Sequence, residues 1–483
     1  MSPADGDSDR HDLLRALPQV GALLEAEVVR GLLAEHPREL VKEALRGALD
    51  EARADLLSGG RTDPPSPEDV VSRAAELLAR AAVPSLRPVI NATGVVIHTG
   101  LGRAPLAAPA VEALRAAAGY CNLEVRLDPG ERGRRDEHVA DLLCRLTGAE
   151  AATVVNNNAG AVLLVLAELA RGRRVIVSRG QLIEIGGSFR LPDIMAQSGC
   201  TLVEVGTTNR THLPDYERSL DGDTVAFLVA HHSNYRIIGF HEEPALKDLA
   251  DLAHRHGLLL LHDLGSGALV DVSRFGVARE PMPQDSLAAG ADIVCFSTDK
   301  MLGGPQGGVI LGRPDLIARL RRNPLARALR VDKLCLAALE ATLRLYLDEP
   351  TALAQVPVLR ALAEPLSQVR ARAERAYADL AALAPTGLLV RVEDDVARVG
   401  GGSLPEHDLP SAVVKLRPPD GLPVEELARR LRVGDPSVYP RIADDAVVFD
   451  LRTVRDDQIG DLVQAVAAAL SAPPADTAAL ESE

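Results

Sequence analysis

The spacing of apolar residues changes near residue 84. Before it they recur every three or four positions, in "LLRALPQVGALLEAEVVRGLL", "PRELVKEALRGALDEARADLL" and "SPEDVVSRAAELLARAAV", which predicts amphipathic helices. The third has a strong start signal: Ser66 as cap, Pro67 in the first turn and acids behind it. The Gly, Pro and Asp stretch "SGGRTDPPSPED" separates it from the second. From about residue 84 the pattern turns to short, nearly continuous apolar runs: "AATVV", "RRVIVSRG", "TLVEVG", "TVAFLVAHH", "LLLLHDLGSG" and "DIVCFSTDK". Amphipathic stretches such as "PALKDLADLAHRHG" lie between them. Runs that are apolar on both faces predict strands of a parallel sheet covered by helices on both sides. In such sheets ligands sit at the carboxyl ends of the strands, where the polar letters collect here. Beyond about residue 335 the helix "KLCLAALEATLRLYL" leads to a smaller α+β unit. It has a helix near 358–384, strands at "GLLVRVED", "SAVVKLRP" and "AVVFDLRTV", and helices at "PVEELARRL" and "DQIGDLVQAVAAAL". The expected organisation is a helical N-terminal domain over 1–83, a large α/β domain with a mostly parallel sheet over 84–335, a small C-terminal α+β domain over 336–470, and a disordered tail over 471–483.

Composition narrows the function classes. The 483 residues carry a formal net charge of −15, with 2% aromatic residues and no Trp. Few aromatics argue against recognising nucleic acid by base stacking. The acidic balance repels polyanions in general, so an RNA partner has to be met by local basic patches such as "RGRR" at 132–135. Five cysteines, at 121, 144, 200, 295 and 335, are widely spaced without a CxxC pair, which fits a reducing cytoplasm and offers neither a disulfide framework nor a zinc motif. The N-terminus is polar and acidic, and no apolar span reaches the roughly 18 residues of a membrane helix. The expectation is a soluble cytoplasmic protein with no membrane partner and no metal.

Lysine usage singles out the chemistry. Of 53 basic residues only Lys42, Lys247, Lys300, Lys333 and Lys415 are lysines. Arginine cannot replace lysine where an amine must lose its proton or form an imine. Lys300 follows the apolar run "DIVCF", stands beside Ser297 and Thr298, and precedes Gly303, Gly304, Gly307 and Gly308, which let backbone approach a ligand closely. Asp263 ends the run of four leucines; a carboxylate there needs a cationic partner, and a protonated pyridine nitrogen supplies one. Asn156, Asn157 and Asn158 end another strand and open a helix at Ala159 and Gly160, where backbone N–H groups make a phosphate cradle. Taken singly, each has a plain structural reading: a surface lysine, an Asp capping a glycine turn, an Asn N-cap. In order along the chain they match pyridoxal-phosphate enzymes of the aspartate-aminotransferase fold (fold type I). Two arginine groups bear on substrate. Arg103 lies among glycines after His98 and Thr99, and Arg327 and Arg330 are three apart, as on one helical face; such pairs suit oxyanions, although solvated helix charge is the ordinary alternative.

The motifs "VINATGVVIHTGLGRAPL", "VVNNNAGAVLL", "VSRGQLIEIGGSFRLPDIM", "EVGTTNRTH", "SNYRIIGF", "DLGSG", "DKMLGGPQGG" and "NPLARALRVDKLCLAALEATLRLYL" occur in order, with "GSLP" and "FDLR" continuing them. Together they resemble the bacterial selenocysteine synthases, the L-seryl-tRNA(Sec) selenium transferase family. The resemblance implies that Lys300 carries pyridoxal 5'-phosphate and that Arg103, Arg327 and Arg330 hold selenophosphate. It further implies β-elimination from seryl-tRNA(Sec) through dehydroalanyl-tRNA, then selenium addition to give selenocysteinyl-tRNA(Sec). A ring-shaped homo-oligomer, usually a decamer, and an N-terminal domain that grips tRNA belong to the same expectation. Two positions depart from the family pattern: Gly100 stands where Asn is common, and Ala159-Gly160 where Ala-Ala is usual. Fold relatives acting on free amino acids use a small-domain arginine for the carboxylate, and Arg441 and Arg452 are both available for that role. A pyridoxal-phosphate lyase of a small phosphorylated or β-substituted amino acid is the alternative on the same core.

Overall fold

The computed structural model describes residues 13–82, 84–185, 189–383, 387–401 and 403–472. The chain divides into two compact units, one ending at Pro88 and one spanning Val89–Glu483. Of the tail expected over 471–483, residues 473–483 lie outside the described residues.

In the first unit, helices Arg38–Ser58 and Pro67–Ala82 pack Val41, Leu45, Leu49, Val70, Ala74 and Leu78 into one apolar core. The start signal at Ser66 forms as a reciprocal pair: Asp69 N–H donates to Ser66 Oγ at 3.1 Å and Ser66 N–H to Asp69 Oδ2 at 3.0 Å. The first predicted helix is broken instead into Val20–Glu25, a 3-10 turn Glu27–Val29 and Arg30–Glu35.

The second unit holds a seven-stranded sheet. Its strands are β1 (Ala151–Val155), β2 (Arg174–Ser178), β3 (Thr201–Val205), β4 (Thr224–Ala230), β5 (Leu259–Gly265), β6 (Ile293–Ser297) and β7 (Gly308–Gly312), ordered β1-β7-β6-β5-β4-β2-β3. All neighbours are parallel except the two pairs that β7 makes with β6 and β1. Alternate side chains enter different cores. Val294, Phe296, Val309 and Leu311 join one apolar cluster, while Ile293, Cys295 and Ile310 join the other. Burial on both faces is why these strands read as unbroken apolar runs.

A six-stranded sheet gathers the C-terminal strands Ser437–Ala443, Ala446–Asp450, Ser403–Arg417 and Leu389–Gly400, flanked by Val89–Ala92 and Val95–Ile97. Helices Leu366–Ala382, Val424–Val433 and Ile459–Ser471 pack on it through Val369, Leu427 and Leu462. The single helix expected near 358–384 is two, Pro357–Ala363 and Leu366–Ala382, because Pro365 interrupts the turn between them. Among the described residues no helix is long and apolar enough to cross a membrane.

Candidate active site

Four strands deliver polar residues to one end of the large sheet. β1 leads into Asn156, β4 into His231, β5 carries Asp263, and β6 ends at Ser297 three residues before Lys300. The antiparallel β7 brings Gly308 to the same end, opposite Ser297 on one side and Val155 on the other. A Cβ on Gly308 would stand 2.2 Å from the carbonyl oxygen of Asn157, so only glycine lets the β7 start lie against the asparagine turn. Gly267, at φ 71°, allows a comparable approach: a Cβ there would meet the Ser297 carbonyl at 2.6 Å.

The three asparagines do different things. Asn156 donates its backbone N–H to the Leu329 carbonyl at 2.8 Å. Asn157 caps the helix Asn158–Leu169, its Oδ1 accepting the Gly160 N–H at 2.7 Å. Asn158 donates Nδ2 to Asp263 Oδ1 at 2.8 Å, which ties the asparagine turn to the acid on β5. Because Gly160 is occupied by its own cap, the amides of Asn158 and Ala159 are the first-turn donors without an acceptor inside the helix.

Lys300 is buried, with 5% of its surface exposed. Burial, followed by the neighbouring Arg103 guanidinium, pushes its amine below the ordinary value, against a smaller upward pull from Asp263, Asp299 and Glu280. Asp263 is pushed up by burial and held down by the Asn158 hydrogen bond and by Lys300. Low dielectric thus disfavours the charged form of both groups and favours a neutral amine at Lys300. Arg103, at φ 63°, donates Nη1 to Asp299 Oδ2 at 2.8 Å, and so stands beside the lysine. The hydroxyl of Thr298 donates to the Pro305 carbonyl and braces the glycine loop, while Ser297 is buried at the strand end.

Arg327 and Arg330 do not share a helix: Pro324–Ala328 ends first, and Arg330 forms a β-bridge with Val155. Both instead line a cavity of about 530 Å³ with Arg132, Arg134, Arg135 and Arg321. Arg134, Arg135 and Arg321 are paired with Asp136 or Glu124, whereas Arg327 and Arg330 make no ion pair among the described residues. Arg103 and Lys300 are not among the residues lining this cavity. Arg452 is buried and spends its guanidinium on the carbonyls of Ala361, Glu364 and Pro410. Arg441 pairs with Asp395 at 2.9 Å and stands 3.6 Å from Asp450. Neither presents an open fork to a carboxylate. A side chain at Gly100 has room beside the His98 ring, 3.5 Å from the Cβ position.

Residues 89–455 match the family model L-seryl-tRNA selenium transferase, and residues 14–53 match the model Selenocysteine synthase N terminal. The chain belongs to the L-seryl-tRNA selenium transferase family. Its relatives named L-seryl-tRNA(Sec) selenium transferase include that of Carboxydothermus hydrogenoformans, 46% identical over 92% of this chain and 96% of the relative. That of Solidesulfovibrio magneticus is 49% identical over 93% and 96%. Among solved structures, that of a D-glucosaminate-6-phosphate ammonia-lyase superposes with TM-score 0.55 at 22% identity, over 80% of this chain and 96% of that one. The fold of this transferase is aspartate-aminotransferase-like, fold type I, the fold of pyridoxal-phosphate enzymes.

Two residues of this candidate site escape a reading of the sequence. His231 donates its backbone N–H to the Asp263 carbonyl at 2.9 Å, and burial, His232 and Lys300 push its imidazole down to about 4. Ser266 accepts the Met301 N–H at 3.1 Å next to Lys300, and its buried hydroxyl has no partner. The signals were present, a histidine at a strand end and the serine of "DLGSG", but neither residue type marks a site by itself.

Proposed function

We propose that this chain converts seryl-tRNA(Sec) into selenocysteinyl-tRNA(Sec), taking selenium from selenophosphate, as a homo-oligomer of the ring type, a decamer, in the cytoplasm. The observation that carries the reading is the pair of buried groups Lys300 and Asp263, with Asn158 hydrogen-bonded to the acid, at the strand ends of a chain with this family membership.

Fit to pyridoxal phosphate rests on unsatisfied groups. Asn156 Oδ1, Asn158 Oδ1, Ser233 Oγ, Ser266 Oγ and His231 Nδ1 are buried without a hydrogen-bond partner, a costly state that a bound polar group relieves. Bound through Lys300, that cofactor supplies an electron sink for loss of the serine β-hydroxyl. Lys300 Nζ, favoured as a neutral amine, would accept the α-proton of the seryl group. Asp263 holds the proton of the ring nitrogen, and Asn158 Nδ2 fixes the carboxylate's orientation. The amides of Asn158 and Ala159, at the helix start capped by Asn157 through Gly160, would hold the phosphate with Ser297 beside them; Thr298 braces the loop behind. Arg327 and Arg330 hold the selenophosphate oxyanion, a role supported by their open guanidiniums; nothing in the geometry joins Arg103 to them, since it lies outside that cavity and pairs with Asp299. An ester substrate is supported by the engagement of Arg441 with Asp395 and of Arg452 with backbone carbonyls, which leaves neither of these two guanidiniums open to a free α-carboxylate.

The test combines the purified chain with pyridoxal phosphate, seryl-tRNA(Sec) and selenophosphate, following the visible absorbance of the lysine-bound cofactor and selenium transfer to the tRNA, with Lys300→Ala as control. Transfer that requires Lys300 supports the reading. Cofactor absorbance with no reaction on the charged tRNA overturns it in favour of a small-molecule lyase.

A further inference from the structure

The loop that follows β4, "HHSNYRIIGFHEE" over 231–243, folds back on itself and brings His232, His241 and Glu243 together. One donor atom from each lies within 4.8 Å of the others. His232 Nε2 stands 3.5 Å from Glu243 Oε1, and His241 Nε2 stands 3.8 Å from the same oxygen. With bonds of about 2.0–2.1 Å, a tetrahedral zinc ion separates its ligand atoms by about 3.3–3.4 Å, a spacing that Glu243 Oε1 nearly has from each imidazole, while the two imidazole donors, within 4.8 Å of each other, would close the rest.

The electrostatics point the same way. Glu243 Oε1 is buried and has no hydrogen-bond partner, and among the described residues its ion-pair partners are the two imidazoles alone. Its neighbour Glu242 is handled differently, paired with Arg210 and His212. In a chain with so many arginines, a carboxylate aimed at two imidazoles lacks the counter-charge that a divalent ion supplies. The three side chains are 16%, 30% and 24% exposed, which sets them apart from a solvated acidic patch while leaving a path for an ion. His232 Nε2 lies 3.0 Å from the Gly180 carbonyl, and that oxygen also accepts the Tyr235 hydroxyl, so ligation by His232 would leave the carbonyl partnered.

We propose that His232, His241 and Glu243 bind one zinc ion per chain, with water in the fourth position, and that the ion pins this loop beside Gly180. His231, which touches the active-site acid through its backbone, is the residue before the first ligand, so the pin steadies one wall of the catalytic site.

The experiment strips the full-length, cofactor-loaded protein with a chelator, removes the chelator and titrates zinc chloride by calorimetry. The expected result is one ion per chain, with affinity at least tenfold weaker in His241→Ala and in Glu243→Gln and unchanged in His212→Ala. No binding by the parent protein, or an affinity in His241→Ala and Glu243→Gln equal to the parent's, overturns the proposal. X-ray absorption at the zinc edge of the parent protein decides independently of how the variants fold: a shell of nitrogen and oxygen supports the site, and sulfur in the shell assigns the ion to cysteine and overturns it.

Discussion

Asn158 is the residue at which the cradle and the acid meet. Removing its amide leaves Asp263 buried with a weaker hold, at a cost of about 1–3 kcal/mol. Asn158→Ala is therefore expected to loosen cofactor binding roughly tenfold or more, read by titrating pyridoxal phosphate against visible absorbance. On the proposed function, Asp263→Asn keeps the shape and removes the charge that would hold the ring nitrogen's proton; selenium transfer is expected to fall by roughly a hundredfold or more while the lysine-bound cofactor still forms. His231 governs a pH effect. Its folded value of about 4 lies below the ordinary 6.5, so the unfolded chain binds the extra proton between them. Stability is full above about pH 6.5 and falls as pH drops toward about 4, by up to about 1.4 kcal/mol per pH unit for one imidazole. His262, depressed to about 3 by burial, adds to the same slope. Denaturant midpoints measured across that window should show a shallower slope in His231→Gln than in the parent.

Elements were legible where one pattern dominated. β1, β2, β4, β5 and β6 bury both faces and appear in the sequence as apolar runs, whereas the edge strand β3 buries only Val205 and still shows its run. β7 does not announce itself: "GGVILG" starts and ends in glycine, and it reads as the tail of a flexible loop. Gly308 is glycine because of its neighbour, not its own backbone. Gly308→Ala is expected to displace the Asn157 carbonyl, cost about 1–3 kcal/mol in stability and weaken cofactor binding, measured by thermal melts with and without pyridoxal phosphate. The Ser66 cap, by contrast, is a local device that a local pattern reveals. Ser66→Ala should lower protection of helix Pro67–Ala82 by about 1 kcal/mol in hydrogen exchange and leave Lys300 chemistry unchanged. The helical face expected for Arg327 and Arg330 failed for a local reason too, because the helix stops at Ala328 and the chain turns to bridge β1.

At the scale of the whole molecule, a net charge of −15 has to coexist with an RNA substrate. The arginine-lined cavity near β1 shows how an acidic chain concentrates positive charge locally. Affinity for seryl-tRNA(Sec) is expected to fall steeply between about 50 and 200 mM salt; an affinity that does not move would remove phosphate contacts as the main source of binding. The sequence by itself determined the two-faced sheet and that Lys300, Asp263 and the three asparagines stand at its strand ends, because burial and residue type leave a periodic mark along the chain. Only the tertiary structure decided that Asn158 reaches Asp263 across 105 positions, that β7 closes the sheet between β6 and β1, that Arg452 is spent on carbonyls, and that two histidines and Glu243 converge. Those meetings depend on the path of the backbone, and no side chain records in its own position which distant residue will stand beside it.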